Sequence, residues 1–197
     1  TFYNCNNSGL PRGQVTSIAI DNNGTKWFGT SWMSVVAYNG NEWTTYDCNN
    51  SGLPEGAHIN SILTDSEGVI WIGTSRGLAV FDGINWTVYN TSNSDLPNDD
   101  ILAITIDNSG IKWIGTAEGL AAFDDKDWIV YNTGNSGLPS NRIKLIGIDM
   151  QDNLWIGTAG LVKFDGNNWE IFNTSNSGLP SNSIKTIYID ENDKKWI

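Results

Sequence analysis

The side chains of this chain that could do chemistry are few. Its one histidine, His58, stands in the stretch Glu55-Gly56-Ala57-His58. Acid–base or nucleophilic catalysis needs such a base to be positioned and supported by neighbouring groups. Glu55 and Asp99 stay open as carboxylate partners for it, and no Ser-His-Asp set follows from the spacing. The carboxylate pairs Asp99-Asp100 and Asp124-Asp125 sit in links and turns, where solvated charge is the expectation. His58 therefore reads as a loop histidine, and no catalytic residue is assigned.

Metal chemistry fares no better. The Asp-x-x-Gly stretches Asp21–Gly24, Asp65–Gly68 and Asp107–Gly110 offer one regular carboxylate each, and Asp149-Met150-Gln151-Asp152-Asn153 lacks even the glycine. A calcium loop needs several oxygen ligands converging within a dozen residues, whereas a lone Asp before a turn caps its own backbone. Cys5 and Cys48 share one register, each five residues before the leucine of a Leu-Pro pair. Equivalent positions on stacked sheets lie about 10 Å apart, and a disulfide needs Cα atoms within about 7 Å. Two free cysteines are expected, with no metal site and no cofactor.

The elements that must position these residues are written as a repeat. Leu-Pro falls at Leu10-Pro11, Leu53-Pro54, Leu96-Pro97, Leu138-Pro139 and Leu179-Pro180, in steps of 43, 43, 42 and 41 residues. Trp27, Trp71, Trp113, Trp155 and Trp196 keep time with it, and Trp43, Trp86, Trp128 and Trp169 close the first four units. A period of about 40 to 45 residues without a helical pattern indicates four-stranded propeller blades. The unit from Ile101 to Tyr131 shows why: three turns rich in Gly, Asn and Asp divide four short runs that begin at Ile101, Lys112, Leu120 and Trp128. The predicted fold is an all-β propeller of four-stranded antiparallel blades, about 42 residues each. Four complete blades span roughly 14–46, 58–89, 101–131 and 143–172. A partial or composite fifth comprises 183–197, with a first strand over Ser183–Asp190, joined by the strand-like segment 1–3. The chain reads as a single propeller or a segment of a larger one.

Composition excludes some partners. Eleven basic against 22 acidic residues give a net charge of −11. The basic residues are scattered (Arg12, Lys26, Arg76, Lys112, Lys144, Lys163) rather than clustered as nucleic acid requires. No apolar run approaches the roughly 18 residues of a membrane span.

Positions that serve packing repeat, whereas positions that serve a ligand need not. After the second strand most units place a small residue or a glycine, as in Ser75-Arg76-Gly77, Ala117-Glu118-Gly119 and Ala159-Gly160. The first has Ser31-Trp32-Met33-Ser34, one residue longer and without glycine. Trp32 is the one tryptophan of ten outside the two registers. That turn and the link before strand one should share a face, so Arg12, Trp32, Met33, Glu55, His58, Arg76, Glu118 and Arg142 are predicted to line one rim. Arg beside Trp suits an acidic or hydroxyl-rich ligand by bidentate bonding and stacking.

The unit Asn-Ser-Gly-Leu-Pro, Ile-x-x-Ile-x-Ile-Asp, Trp-Ile-Gly-Thr, Gly-Leu and Phe-Asp-Gly-x-x-Trp resembles the two-component regulator propeller repeat. It stands most completely at Asn176–Asp190, Trp71–Thr74, Gly77-Leu78 and Phe81–Trp86. The resemblance implies a periplasmic or secreted bacterial protein. Its expected role is a non-enzymatic propeller that senses a small ligand, with an oligosaccharide as the candidate, for a two-component regulator. The alternative it implies is a structural or protein-interaction module of a secreted protein. Self-association, or docking against missing blades of a longer parent, is a further expectation.

Overall fold

The computed structural model describes residues 3–197. They form two compact units, one running through Asn93 together with Asp99–Ile101, the other comprising Ser94–Asn98 and Leu102–Ile197. Every regular element among the described residues is a β-strand.

The first unit holds two sheets, each a four-strand antiparallel meander. Strands β1 (Val15–Ile20), β2 (Lys26–Thr30), β3 (Val35–Tyr38) and β4 (Trp43–Tyr46) pair in chain order, as do β5 (Ile59–Thr64), β6 (Ile70–Thr74), β7 (Gly77–Phe81) and β8 (Trp86–Tyr89). The second unit, with Ile101 of the first at its start, repeats the plan with β9 (Ile101–Ile106), β10 (Lys112–Thr116), β11 (Leu120–Phe123) and β12 (Trp128–Tyr131). It does so again with β13 (Leu145–Ile148), β14 (Leu154–Thr158), β15 (Gly160–Phe164) and β16 (Trp169–Phe172). A small sheet of β17 (Tyr188–Ile189) and β18 (Lys195–Trp196) follows.

The turn between the first two strands of each sheet is built on one aspartate. Asp65 Oδ1 accepts the backbone N–H groups of Glu67 and Val69, both at 2.9 Å, while Oδ2 accepts the indole N–H of Trp71 at 2.9 Å. The same clip joins Asp21 to Trp27, Asp107 to Trp113, Asp149 to Trp155 and Asp190 to Trp196, at 2.8–2.9 Å. A buried indole must place its N–H, and the turn aspartate six residues earlier receives it. Where Gly68 takes a left-handed φ of 86°, the later turns use Asp152 (66°) and Asp193 (63°), a residue that tolerates this region.

The clipped tryptophan is also the packing unit. In the first unit Trp27 lies opposite Ala19 and Ala37, whose small side chains leave room for its ring. It stacks on Tyr46 of its own sheet (centroids 5.8 Å apart) and meets Phe81 of the next edge-on (6.1 Å). Tyr46 in turn contacts Phe81 and Trp86, both at 5.6 Å. In the second unit Trp113, Tyr131, Phe164 and Trp169 form the same four-ring group. Around each group closes an aliphatic core: Leu53, Ile59, Ile62 and Ile72 in one, Leu138, Ile143, Leu154 and Ile156 in the other. A Cβ on Gly29 would lie 2.6 Å from Ile59 Cγ2, and one on Gly115 2.7 Å from Ile143 Cγ2. The glycine of Trp-x-Gly-Thr therefore lets the next sheet approach.

The fifth sheet is smaller than expected. Instead of a first strand over Ser183–Asp190, only Tyr188–Ile189 pairs as a strand, with Ser183 held by an isolated bridge to Ala159. Two strands without further neighbours have little ladder to extend. Of the segment 1–3, residues 1 and 2 lie outside the described residues, and Tyr3 is not in a strand. It packs on Tyr38 and Trp43.

Two outcomes follow. Asp65→Ala removes three acceptor bonds, among them the one that takes the N–H of the buried Trp71 indole, so urea unfolding should show a loss of about 1–3 kcal/mol; an unchanged midpoint would contradict the clip. The second outcome concerns acid. Burial pushes the Asp149 carboxyl up, but hydrogen bonds from Trp155, Asn153 and Lys195 outweigh it and hold it well below the usual carboxylate range. A depressed folded-state value contributes stability above the unfolded value, about 3.9 for Asp, that is lost as pH falls below it. Thermal midpoints should drop from about pH 4 downward, and the drop should be shallower in Asp149→Asn.

Candidate functional site

Each link between sheets is tied down before it reaches the rim. In the second link Asn50 Oδ1 accepts the Asp47 N–H (2.9 Å), while Asn50 Nδ2 donates to the Thr45 carbonyl (2.9 Å). Ser51 Oγ donates to the Asp47 carbonyl (2.6 Å) and accepts the Leu53 N–H (3.2 Å). Leu53 then enters the core, and Gly52 lies so close to Trp86 that a Cβ there would sit 2.3 Å from the Trp86 Cβ. Asn-Ser-Gly-Leu-Pro is thus a strap that delivers the residues after proline to a defined place.

Those residues are zipped to the turn after strand two. Gln14 N–H donates to Ser31 Oγ (3.1 Å) and Ser31 N–H to the Gln14 carbonyl (3.0 Å). One repeat on, His58 N–H donates to Ser75 Oγ and Ser75 N–H to the His58 carbonyl, both at 3.0 Å. His58 therefore occupies the place of Gln14 and serves the link with its backbone.

This pairing sets a side chain from each turn over a glycine of each link. A Cβ on Gly13 would fall 2.2 Å from Trp32 Cδ1 and 2.5 Å from its Nε1, and one on Gly56 3.5 Å from Arg76 Nη2. Both glycines have left-handed φ, 127° and 71°. The indole of Trp32 and the guanidinium of Arg76 thus rest on backbone in equivalent positions of neighbouring repeats. Trp32 remains 64 % exposed, and Met33, in the left-handed region at 60°, takes up the residue that lengthens this turn. Arg12, Glu55, His58 and Arg76 are exposed as well. A depression of about 210 Å³ adjoins the Trp32 platform, lined among others by Tyr3, Cys5, Leu10, Arg12, Gln14 and Thr30. That is below the roughly 300–1,000 Å³ of enclosed small-molecule sites, so a ligand here would lie across the surface.

Six of the eight residues predicted to line one rim belong to the first unit. The other two, Glu118 and Arg142, belong to the second. There Thr116 Oγ1 accepts the Glu118 N–H (3.1 Å) and the Thr116 carbonyl accepts the Ile143 N–H (2.9 Å), so the loops bearing Glu118 and Arg142 meet at one threonine.

The Asp-x-x-Gly carboxylates face N–H donors, a polarity opposite to a cation loop. No cluster of three or more His, Cys, Asp or Glu suited to a metal occurs among the described residues. Cys5 and Cys48 are free, exposed thiols. No helix is long and apolar enough to cross a membrane. Sequence reasoning missed the Asp–Trp clip, although an Asp six residues before each strand-two Trp recurs in all five units. It also missed Gly13 and Gly56 as seats for Trp32 and Arg76.

Residues 52–76 and 137–160 match the model of the two component regulator propeller family. No curated protein matches the chain. Among solved structures it is similar to an extracellular domain assigned to a hybrid two-component system of B. thetaiotaomicron. That match has 28% identity and a TM-score of 0.80, covering 96% of this chain and 26% of that one. A second extracellular domain from that organism, assigned to a one-component system, matches at 22% identity and TM-score 0.75 over 95% of this chain and 27% of its own. A catalytically inactive virginiamycin B lyase from Staphylococcus aureus matches at 15% identity and TM-score 0.75, over 95% of this chain and 64% of its own. The last two likenesses concern fold alone. This chain spans about a quarter of the two extracellular domains. It carries two-component regulator propeller repeats, and its four-stranded sheets are β-propeller blades.

Because Trp32 is the most exposed indole, Trp32→Phe should remove a large share of the iodide-quenchable fluorescence. Gly13→Ala, which drives a Cβ into the indole at an unfavourable φ, should shift that emission and cost about 1 kcal/mol or more. Unchanged quenching in both variants would mean that the indole does not rest there.

Proposed function

We propose that these two-component regulator propeller repeats form a non-enzymatic, extracytoplasmic recognition module whose rim binds a small saccharide for a sensor. One observation carries the reading. Two neighbouring repeats place an exposed indole and an exposed guanidinium at equivalent positions, each on a glycine, where the repeat elsewhere sets other residues. An indole face stacks on the apolar face of a sugar ring, and a guanidinium bonds two oxygens at once. The open depression favours holding a ligand over enclosing a reaction, and the histidine gives the link its backbone groups. Similarity to an extracellular domain assigned to a hybrid two-component system supports the location and the sensory role.

The reading is tested by screening the protein on an array of neutral and acidic oligosaccharides and measuring the strongest hit by calorimetry. Trp32→Ala and Arg76→Ala should each weaken it at least tenfold, about 1.4 kcal/mol, and the sugar should be recovered with unchanged mass. An array without a hit, affinity untouched by both substitutions, or a cleaved sugar would each overturn it.

A further inference from the structure

The second unit holds a cavity of about 350 Å³ between the sheet of β9–β12 and that of β13–β16. That volume lies within the roughly 300–1,000 Å³ of small-molecule sites, and none of the lining residues is among those predicted for the rim. The walls are largely apolar. Trp113, Tyr131 and Phe164, three members of the four-ring group, line the cavity with centroids 5.7–6.0 Å apart, and Ala122 and Leu154 accompany them. These rings touch one another, so a ligand would rest on the group and not inside it. Asp107, Asp152 and Asp165, from three different turns, supply the charge, and no lysine, arginine or histidine lines the cavity.

Two of the lining residues break the repeat. The second residue of the fourth strand is Thr44, Thr87 and Glu170 in the other sheets but Ile129 here, and Ile129 is 56 % exposed. Asp152 stands where the first three turns have Gly24, Gly68 and Gly110. Its Oδ1 accepts the Asn108 N–H (3.1 Å), which latches the two turns across the sheets. The other two carboxylates have their oxygens engaged: Asp107 by the clip to Trp113, Asp165 Oδ1 by the N–H groups of Asn167 (2.9 Å) and Asn168 (2.7 Å). A metal ion or a primary ammonium needs those lone pairs for itself. A quaternary ammonium donates no hydrogen bond and needs only the field of the carboxylates and apolar surface for its methyl groups.

We propose that this cavity binds a small quaternary ammonium compound, whose carbon body covers Ile129 and the ring group while its charge faces Asp152 and Asp165. Apolar walls without a counter-charge would suit a neutral ligand equally, and carboxylates without the walls would only hold solvent ions. Here the two occur together, at positions that packing alone does not require to differ from their sisters. The net charge of −11 adds a general attraction for cations. The site does not depend on any ligand at the rim.

Calorimetric titration of the 197-residue chain with choline tests this, with neohexyl alcohol, the uncharged carbon isostere of choline, as the control. Choline should bind saturably and the alcohol at least tenfold more weakly. Ile129→Thr and Asp152→Gly install the residues that sister repeats carry at these places, so circular dichroism should show both variants folded. Each should weaken choline binding at least threefold, and Trp32→Ala should leave it unchanged. Absence of saturable choline binding, equal binding of the alcohol, affinity untouched by either cavity substitution, or affinity lost in Trp32→Ala would each overturn the proposal.

Discussion

A hydrogen bond from a tryptophan indole to the turn aspartate six residues earlier underlies the rest of this structure. It lets a large ring be buried without orphaning its N–H, and it fixes that ring's orientation relative to the strand that carries it. The same carboxylate closes the turn through its other oxygen. One side chain thus couples local chain reversal to the packing of one sheet on the next. Since a four-stranded sheet of this size cannot bury both faces alone, the clipped ring makes the repeat a stackable unit.

The glycines complete this arrangement by subtraction. Gly29 and Gly115 admit the next sheet's isoleucine, while Gly9, Gly52 and Gly137 let the link lie against the tryptophan that opens the fourth strand. Where the interface is made, nothing larger fits. The rim is a by-product of this frame: straps and zippers hold the links, and side chains not needed for packing are free to vary on top.

Much of the architecture was legible in the residues themselves. Two tryptophan registers and the Leu-Pro spacing placed four sheets whose strands start where β-branched and aromatic runs start. The fifth sheet was overestimated because Ser183–Asp190 has the sequence of its sisters but lacks the neighbours that complete a ladder. The Asp-x-x-Gly turns read as backbone caps, yet the second carboxylate oxygen's role depended on a residue across the turn and escaped notice. At the rim, Trp32 and Arg76 stood out by breaking the repeat. What set them in equivalent places, contact with Gly13 and Gly56, depends on how link and turn pair in space, and neither segment shows that alone.

Indole hydrogen exchange followed by NMR probes this central interaction most directly. The Nε1–H groups of Trp27, Trp71 and Trp113, bonded and buried, should exchange far more slowly than that of Trp32, and Asp65→Ala should accelerate Trp71 selectively. Exchange of the clipped indoles at the rate of Trp32, or no acceleration at Trp71, would contradict the role given to the aspartate.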